Sequence, residues 1–332
     1  MSSIPPTMRA LVVEALAPDF GGCAVREIPT PRPGPGEVLV RVRAASVNFP
    51  DLLMTRGEYQ FKPPLPFTPG LDLAGEVAAL GEDVTSLAVG DAVVGGARLG
   101  GFAEYAVLSA NALKPKPERL SFAEGAAYGA AYLTAYVALV RRARLEPGEW
   151  VLVHGAAGGV GLAAVDMAKA LGARVIATSA SDDKLARVQA LYDPDAVVNV
   201  TGGFRDRVKA ITGGHGADVI YDPVGGDVFD ESVRCVAFDG RLLVIGFTSG
   251  RIPTVSVNMP LIKGFSVMGV RAGEYGRQFP DKGRENSEAV WALANEGRIR
   301  PHVHAELPLY RWREAFDLLA QRKVVGKAVI EP

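Results

Sequence analysis

From Trp150 onward, short apolar runs alternate with segments whose apolar residues recur every three or four positions. Val151–His154, Arg174–Thr178, Ala196–Val200, Asp218–Tyr221, Arg241–Phe247 and Phe265–Val270 read as strands, and Gly159–Leu171, Asp182–Leu191, Phe204–Thr212 and Val228–Cys235 as helices. Such alternation implies crossovers onto a parallel sheet covered by helices on both faces. Six strands in two halves predict a doubly wound dinucleotide fold. The first third has another texture. Met8–Val13 and Glu37–Ala44 are short apolar runs, and Pro29-Thr-Pro-Arg-Pro-Gly-Pro-Gly36 is a loop, because proline fixes φ and lacks an N–H. Further glycine breaks at Gly81, Gly90, Gly95, Gly96, Gly100 and Gly101 suggest short strands in a barrel-like β domain. Ser121-Phe-Ala-Glu124 carries the capping-box pattern of a helix start. After about residue 271 the alternation stops, and Asn286–Glu296 and Trp312–Gln321 read as helices. The expectation is an α/β chain with a split β-rich domain, residues 1–124 and 271–332, around a parallel-sheet domain, residues 125–270.

Composition narrows the function classes. A chain of 332 residues, 48% hydrophobic, is long for a single core, which agrees with two domains. Net charge is -1, from 36 basic and 37 acidic residues without long blocks of one sign, so a nucleic-acid partner is not expected. Cys23 and Cys235 are the two cysteines, too few for a disulfide framework or a cysteine zinc cluster, and a reducing cytoplasm is expected. Met1–Thr7 lacks the basic and apolar regions of a signal peptide. Ala126–Val140, the longest mostly apolar segment, falls short of the roughly 20 residues that span a bilayer, so it reads as a buried helix rather than a membrane anchor.

The strongest chemical signal is Val151-Leu-Val-His-Gly-Ala-Ala-Gly-Gly-Val-Gly161, a strand, a glycine turn and a helix start in succession. Ala157, Gly158, Gly159, Val160 and Gly161 would form a pyrophosphate cradle. Gly158 lets the backbone approach the phosphates, Gly161 lets the helix pack on the strand, and the helix N-terminus offers N–H donors. Ala156 stands where the usual fingerprint has its first glycine. At the end of the second strand, Thr178-Ser-Ala-Ser-Asp-Asp-Lys184 places Ser179 where an NAD site would carry an acid. Without that carboxylate, and with Lys184 one turn on, a 2′-phosphate is favoured and NADPH is the expected cofactor. A second reading stays open, in which Lys184 is solvated and Asp182 or Asp183 reaches the ribose. His154 reads as a satisfied core histidine and Asp51 as a structural anchor, with a part in proton relay left open. His302 and His304 share a strand face without further ligands for a metal.

These features, with Gly70-Leu-Asp72 and Gly90-Asp91, resemble the medium-chain dehydrogenase/reductase superfamily over nearly the whole chain. The resemblance implies a GroES-like catalytic domain and a Rossmann domain. In the zinc alcohol dehydrogenases of that superfamily, a Gly-His-Glu triplet supplies a zinc ligand; here Leu71 takes the histidine place, and Asn48 the place of an early cysteine ligand. Val47-Asn-Phe-Pro-Asp51, Arg56-Gly-Glu-Tyr59 and Pro63-Pro-Leu-Pro-Phe-Thr-Pro-Gly70 are similar to the zinc-free quinone oxidoreductases and related enoyl reductases. By that resemblance Asn48 and Tyr59 border the nicotinamide and substrate, and Thr134 touches the nicotinamide. Gly246, Phe247, Met268, Gly269 and Val270 line its ring, and Arg322 joins Lys184 at the 2′-phosphate. Leu53 replaces a second tyrosine often found in quinone oxidoreductases, and Val200 replaces an aromatic or histidine near the adenosine.

The expected activity is hydride delivery from NADPH to a quinone or related conjugated carbonyl, without zinc. Such an acceptor spreads the developing charge and needs only hydrogen-bond donors, whereas a simple carbonyl calls for a Lewis acid. Tyr59 and Asn48 are the candidate donors. For Tyr59 the residues alone leave open a plain packing role. An enoyl-thioester reductase and a non-catalytic NADPH-binding protein are the competing readings. The resemblance also implies a homodimer joined at a sheet edge.

Overall fold

A computed structural model describes residues 4–332 and divides the chain into two compact units. One comprises the chain up to Ala130 together with Arg300–Pro332, and the other Ala131–Ile299. In the first, β1 (Thr7–Val13) and β2 (Cys23–Pro29) form an antiparallel hairpin. A second sheet takes β3 (Glu37–Ser46), β4 (Asp72–Leu80), β5 (Ala92–Gly96), β6 (Tyr105–Ser109) and β7 (Leu113–Pro115), with α1 (Phe49–Arg56) between β3 and β4. Helix α2 (Phe122–Tyr136) opens on the expected capping box: Glu124 N donates to Ser121 Oγ at 3.1 Å, and Ser121 N to Glu124 Oε2 at 2.9 Å. Glycine sets how deeply α2 lies. A Cβ on Gly129 would stand 2.8 Å from Asp72 Oδ1, and one on Gly125 2.9 Å from Val94 Cγ1.

The second unit is the parallel-sheet one. In chain order it holds β8 (Trp150–Val153), α3 (Gly159–Ala170), β9 (Arg174–Ser179), α4 (Asp182–Tyr192), β10 (Ala196–Asn199) and α5 (Arg205–Ile211). Then follow β11 (Ala217–Asp222), α6 (Gly226–Ser232), β12 (Val236–Val244), α7 (Asn258–Lys263) and β13 (Ser266–Gly269). The strands lie in the order β10-β9-β8-β11-β12-β13, every pair parallel. The order reverses beside β8, which makes the carboxyl ends of β8 and β11 the natural binding crevice. Leu152, Ile176, Val198, Ile220 and Leu242 are fully buried and pack with Phe204, Val208 and Phe229. Burying each such side chain is worth about 1.5–3 kcal/mol. Arg241 donates to both oxygens of Glu149 at 2.8 and 2.7 Å, tying β12 to the turn before β8.

Several expectations change, among them the first domain boundary, which falls after Ala130 rather than after residue 124. Strand β12 begins at Val236 and ends at Val244, so Gly246 and Phe247 leave the sheet. There Ile245 N donates to Asp222 O, and Thr248 N to Pro223 O. Helix α6 starts at Gly226 and stops at Ser232, earlier at both ends than the apolar pattern suggests. The boundary expected at residue 271 falls at residue 300 instead: α8 (Ala272–Gln278) and α9 (Pro280–Asn295) belong to the second unit. These two helices approach at Gly276 and Gly283, where a Cβ on Gly283 would meet Gly276 Cα at 2.7 Å.

The chain then returns to the first unit as β14 (Val303–Pro308), α10 (Trp312–Ala320) and β15 (Lys327–Glu331). Strand β15 runs parallel to β14 and antiparallel to β3, with Val329 opposite Ser46, completing the order β14-β15-β3-β4-β5-β7 with β6 on β3. Phe316 of α10 is fully buried and meets Phe20, Phe102 and Trp312 edge-on at 5.4, 5.9 and 5.4 Å. Among the described residues, no helix is long and apolar enough to cross a membrane.

Candidate active site

In the second unit the glycine turn has the geometry of a phosphate cradle. Gly155 adopts φ +55°, and Gly158 N donates to Gly155 O at 2.8 Å. The left-handed residue is therefore Gly155. Ala156 needs no positive φ and donates its N–H to Thr178 O at 2.9 Å, which explains why alanine serves there. A Cβ on Gly161 would stand 2.3 Å from Gly155 O, so α3 can cross β8 this closely only with glycine. A Cβ on Gly158 would meet nothing nearer than Gly155 O at 3.3 Å. Gly158 is the N-cap of α3, and Gly159, Val160 and Gly161 offer the first N–H groups of the helix. These features fit a dinucleotide pyrophosphate.

Around the turn, neighbouring loops are stitched together. Asp222 accepts from Val224 N at 2.8 Å and Gly225 N at 2.9 Å, fixing the loop after β11. Thr248 and Ser249 donate their N–H groups to Pro223 O and Val224 O. Pairing of β12 with β13 sets Val244 opposite Gly269, and Val270 N donates to Val244 O. The sheet thereby brings Gly246, Phe247, Met268, Gly269 and Val270 to the carboxyl edges of two adjacent strands. Thr134 sits near the end of α2, in the same unit. His154 is fully buried and holds three elements together. Its Nδ1 lies 2.8 Å from Thr178 Oγ1, its Nε2 2.8 Å from Ser232 Oγ, and its ring 4.8 Å from that of Phe204. Burial pushes its pKa down to about 3, so the ring is neutral.

At the end of β9, Ser179 Oγ accepts from Ser181 N at 3.3 Å, and Ser181 caps α4 by accepting from Lys184 N. Asp182 is taken up elsewhere: Asn199 Nδ2 donates to its Oδ1 at 2.8 Å. Sequence reasoning missed Asn199, although its place one strand over from Ser179 was a usable signal.

The first unit holds a second polar group. Gly70 has φ +110°, and a Cβ there would meet Phe102 N at 2.6 Å, so the Gly70-Leu-Asp72 triplet starts on a position only glycine fills. Asn48 caps α1 and is 8% exposed. Its N–H donates to Asp51 Oδ2 at 2.8 Å, while Gly70 N donates to Asp51 Oδ1 at 3.0 Å. Its amide Nδ2 donates to Asp72 Oδ2 at 3.0 Å and Ser46 O at 3.2 Å, and Lys327 Nζ donates to its Oδ1 at 2.5 Å. Asp51, Asp72 and Lys327 are all buried. Burial raises the pKa of Asp51 to about 7, against the N–H groups of Asn48 and Gly70 and the Lys327 charge. Burial likewise raises Asp72, against Lys327 and Asn48, and lowers Lys327. The Asn48 amide is thus spent within the protein. Lys327 is a second residue that sequence reasoning missed: a single lysine in an apolar strand was its only trace.

Tyr59 is partly buried and packs against the core of the first unit, and no hydrogen bond of its hydroxyl is found among the described residues. Arg322 adopts φ +55° after α10, also in the first unit. Among the described residues, no three His, Cys, Asp or Glu side chains converge as a metal site.

Comparison with known proteins places this geometry. A model of the alcohol dehydrogenase GroES-like domain matches residues 34–118, and one of zinc-binding dehydrogenases matches residues 159–290. The quinone oxidoreductase-like protein 2 homolog of Nematostella vectensis is 41% identical over 300 residues, 90% of this chain and 82% of the relative. The quinone oxidoreductase of Homo sapiens is 31% identical over 320 residues, 94% of this chain and 95% of the relative. A solved probable oxidoreductase from Mycobacterium abscessus has TM-score 0.89 at 38% identity, covering 99% of this chain and 100% of that one. A mycobacterial protein solved in complex with NADPH has TM-score 0.88 at 30% identity, covering 98% and 100%. Likeness of this extent, over both units, makes the chain an oxidoreductase of the quinone oxidoreductase family within the medium-chain dehydrogenase/reductase superfamily.

Proposed function

We propose that the protein is an NADPH-dependent reductase that passes hydride to a quinone or related conjugated carbonyl without a catalytic zinc ion. The observation that carries this reading is the end of β9. Ser179 puts no carboxylate there, Lys184 follows in the first turn of α4, and Asp182 is engaged by Asn199 rather than left for a ribose. That arrangement suits a 2′-phosphate and disfavours a bare 2′-hydroxyl. Bound NADPH supplies the hydride; the chain's own part is to hold the phosphates and to meet the charge that develops on the acceptor. The Tyr59 hydroxyl, for which no hydrogen bond is found among the described residues, is the donor suited to that charge. At the place of the early cysteine ligand of the zinc enzymes, Asn48 already accepts from Lys327 Nζ and donates to Asp72.

Titration by cofactor fluorescence tests the cofactor. NADPH is expected to bind at least tenfold tighter than NADH, about 1.4 kcal/mol, and equal dissociation constants would refute the preference. The acceptor is tested by NADPH oxidation after dialysis against a strong chelator. Quinones or enones should be turned over; turnover of enoyl thioesters alone, or of nothing, would overturn the reading. The same reading extends to assembly as a homodimer. Strand β13 pairs with β12 on one side only, and Val267, Phe238, Ile262 and Leu261 beside it are 37%, 79%, 71% and 82% exposed. A second copy, related by a two-fold axis, would continue the sheet and cover them.

A further inference from the structure

Lys327 is a buried amine that pairs with neither Asp51 nor Asp72 directly and reaches Asn48 instead. It is 6% exposed, and its Nζ donates to Asn48 Oδ1 at 2.5 Å. On the other side of that amide, Nδ2 donates to Asp72 Oδ2 at 3.0 Å. The amide therefore lies between a donor and an acceptor, with its oxygen toward the Lys327 Nζ and its N–H₂ toward Asp72. Turned over, its N–H₂ would face the N–H groups of Lys327 and its oxygen the oxygen of Asp72. The Lys327 donor thus fixes which way round Asn48 sits. Asn48 is the N-cap of α1, and that eight-residue helix ends at Gly57, two residues before Tyr59. The backbone reinforces the tie: Val47 N donates to Ala328 O, next to Lys327.

We propose that Lys327 is a positioning residue for the reduction: it orients the Asn48 amide, pins the start of α1 to β15, and through that helix places the Tyr59 hydroxyl. The kinetic part rests on the reductase reading above; the structural part does not.

Two measurements separate them. In [15N]Asn-labelled protein, the Asn48 side-chain amide protons are held by Asp72 and Ser46, so they should exchange slowly and shift downfield. Lys327→Met should abolish that protection, and Lys327→Arg should restore it. Unchanged Asn48 signals in Lys327→Met would overturn the proposal whatever the enzyme turns over. In kinetics, Lys327→Met should lower kcat at least tenfold with the KM for NADPH within twofold. Tyr59→Phe should then cost far less in the Lys327→Met background than alone, because a displaced hydroxyl has little left to lose. Additive losses would overturn the proposal. If Tyr59→Phe alone changes nothing, the role given to Tyr59 fails, and the amide signals still decide the Lys327–Asn48 link. Should Lys327→Met not fold, the polar but shorter Lys327→Gln takes its place. It should fold yet still lose Asn48 protection; retained protection would count against Lys327.

Discussion

His154, enclosed by Thr178, Ser232 and Phe204, ties acid sensitivity to one side chain. In the folded protein it stays neutral down to about pH 3, whereas the unfolded imidazole charges below its ordinary 6.5. Between those values the unfolded state holds the extra proton, so stability falls with falling pH by about 1.4 kcal/mol per unit. Asp51 works in the opposite sense: with its pKa raised from 3.8 to about 7, the folded state keeps a proton that the unfolded carboxyl has lost. Its contribution grows as pH falls from about 7 toward 4 and offsets the histidine. The two separate on mutation. The stability gap between wild type and His154→Gln, from urea unfolding, should narrow as pH drops from 6.5 to 4; a constant gap would contradict the buried neutral imidazole. For Tyr59→Phe, a fall of about tenfold to hundredfold in turnover is expected with NADPH affinity unchanged. Unchanged turnover would leave Tyr59 as the packing residue its ring already is. At this scale the glycines were legible because a missing side chain has few meanings. Lys327 was not, since a strand lysine ordinarily faces water, and the direction of the Asn48 amide depends on a partner 279 positions away.

Among elements, the strands β8 to β12 and the helices α3 to α6 were readable because most bury an apolar run or stripe, whereas α7 and α8, which bury almost nothing, gave no such signal. Helix α1 was not announced by any pattern: it is eight residues long, holds Pro50 in its first turn, and is specified by Asp51 binding the Asn48 and Gly70 N–H groups. Helix α9 was recognised only in its second half, because its first turns are polar and Gly283, which looks like a breaker, is there for the crossing with α8. The glycine turn yields a contrast. Gly161→Ala places a methyl 2.3 Å from Gly155 O, so the strand–helix crossing must open, at about 1–3 kcal/mol. Gly158→Ala meets only Gly155 O at 3.3 Å and should leave the melting temperature within a degree or two, while its methyl stands where the pyrophosphate would approach. Thermal denaturation beside cofactor titration should therefore show Gly161→Ala losing both stability and binding, and Gly158→Ala losing binding alone. Equal melting losses would mean that the two glycines serve the same purpose.

For the whole molecule, the number and kinds of domain followed from composition and periodicity, and the crossing point did not. Helices α8 and α9 lack the strands that mark the parallel-sheet pattern, yet they complete that unit. Assembly is tested by light scattering: the wild type should exceed the 35.0 kDa of one chain, and Val267→Lys on β13 should shift it toward that mass. A wild type that stays at one-chain mass at micromolar concentration would refute the dimer. The interrupted first unit also bears on how the chain folds. Strand β15 must find β3 across everything that lies between them, including Ala131–Ile299. Closing that loop costs less entropy once the intervening unit is compact, since its ends then wander far less than those of a coil. The second unit should therefore gain hydrogen-exchange protection in β8 and β11 before β3 and β15 do during refolding, and the reverse order would refute this. On that schedule Lys327 reaches the Asn48 amide in the last step, and the polar cluster beside α1 is the final part of the enzyme to form.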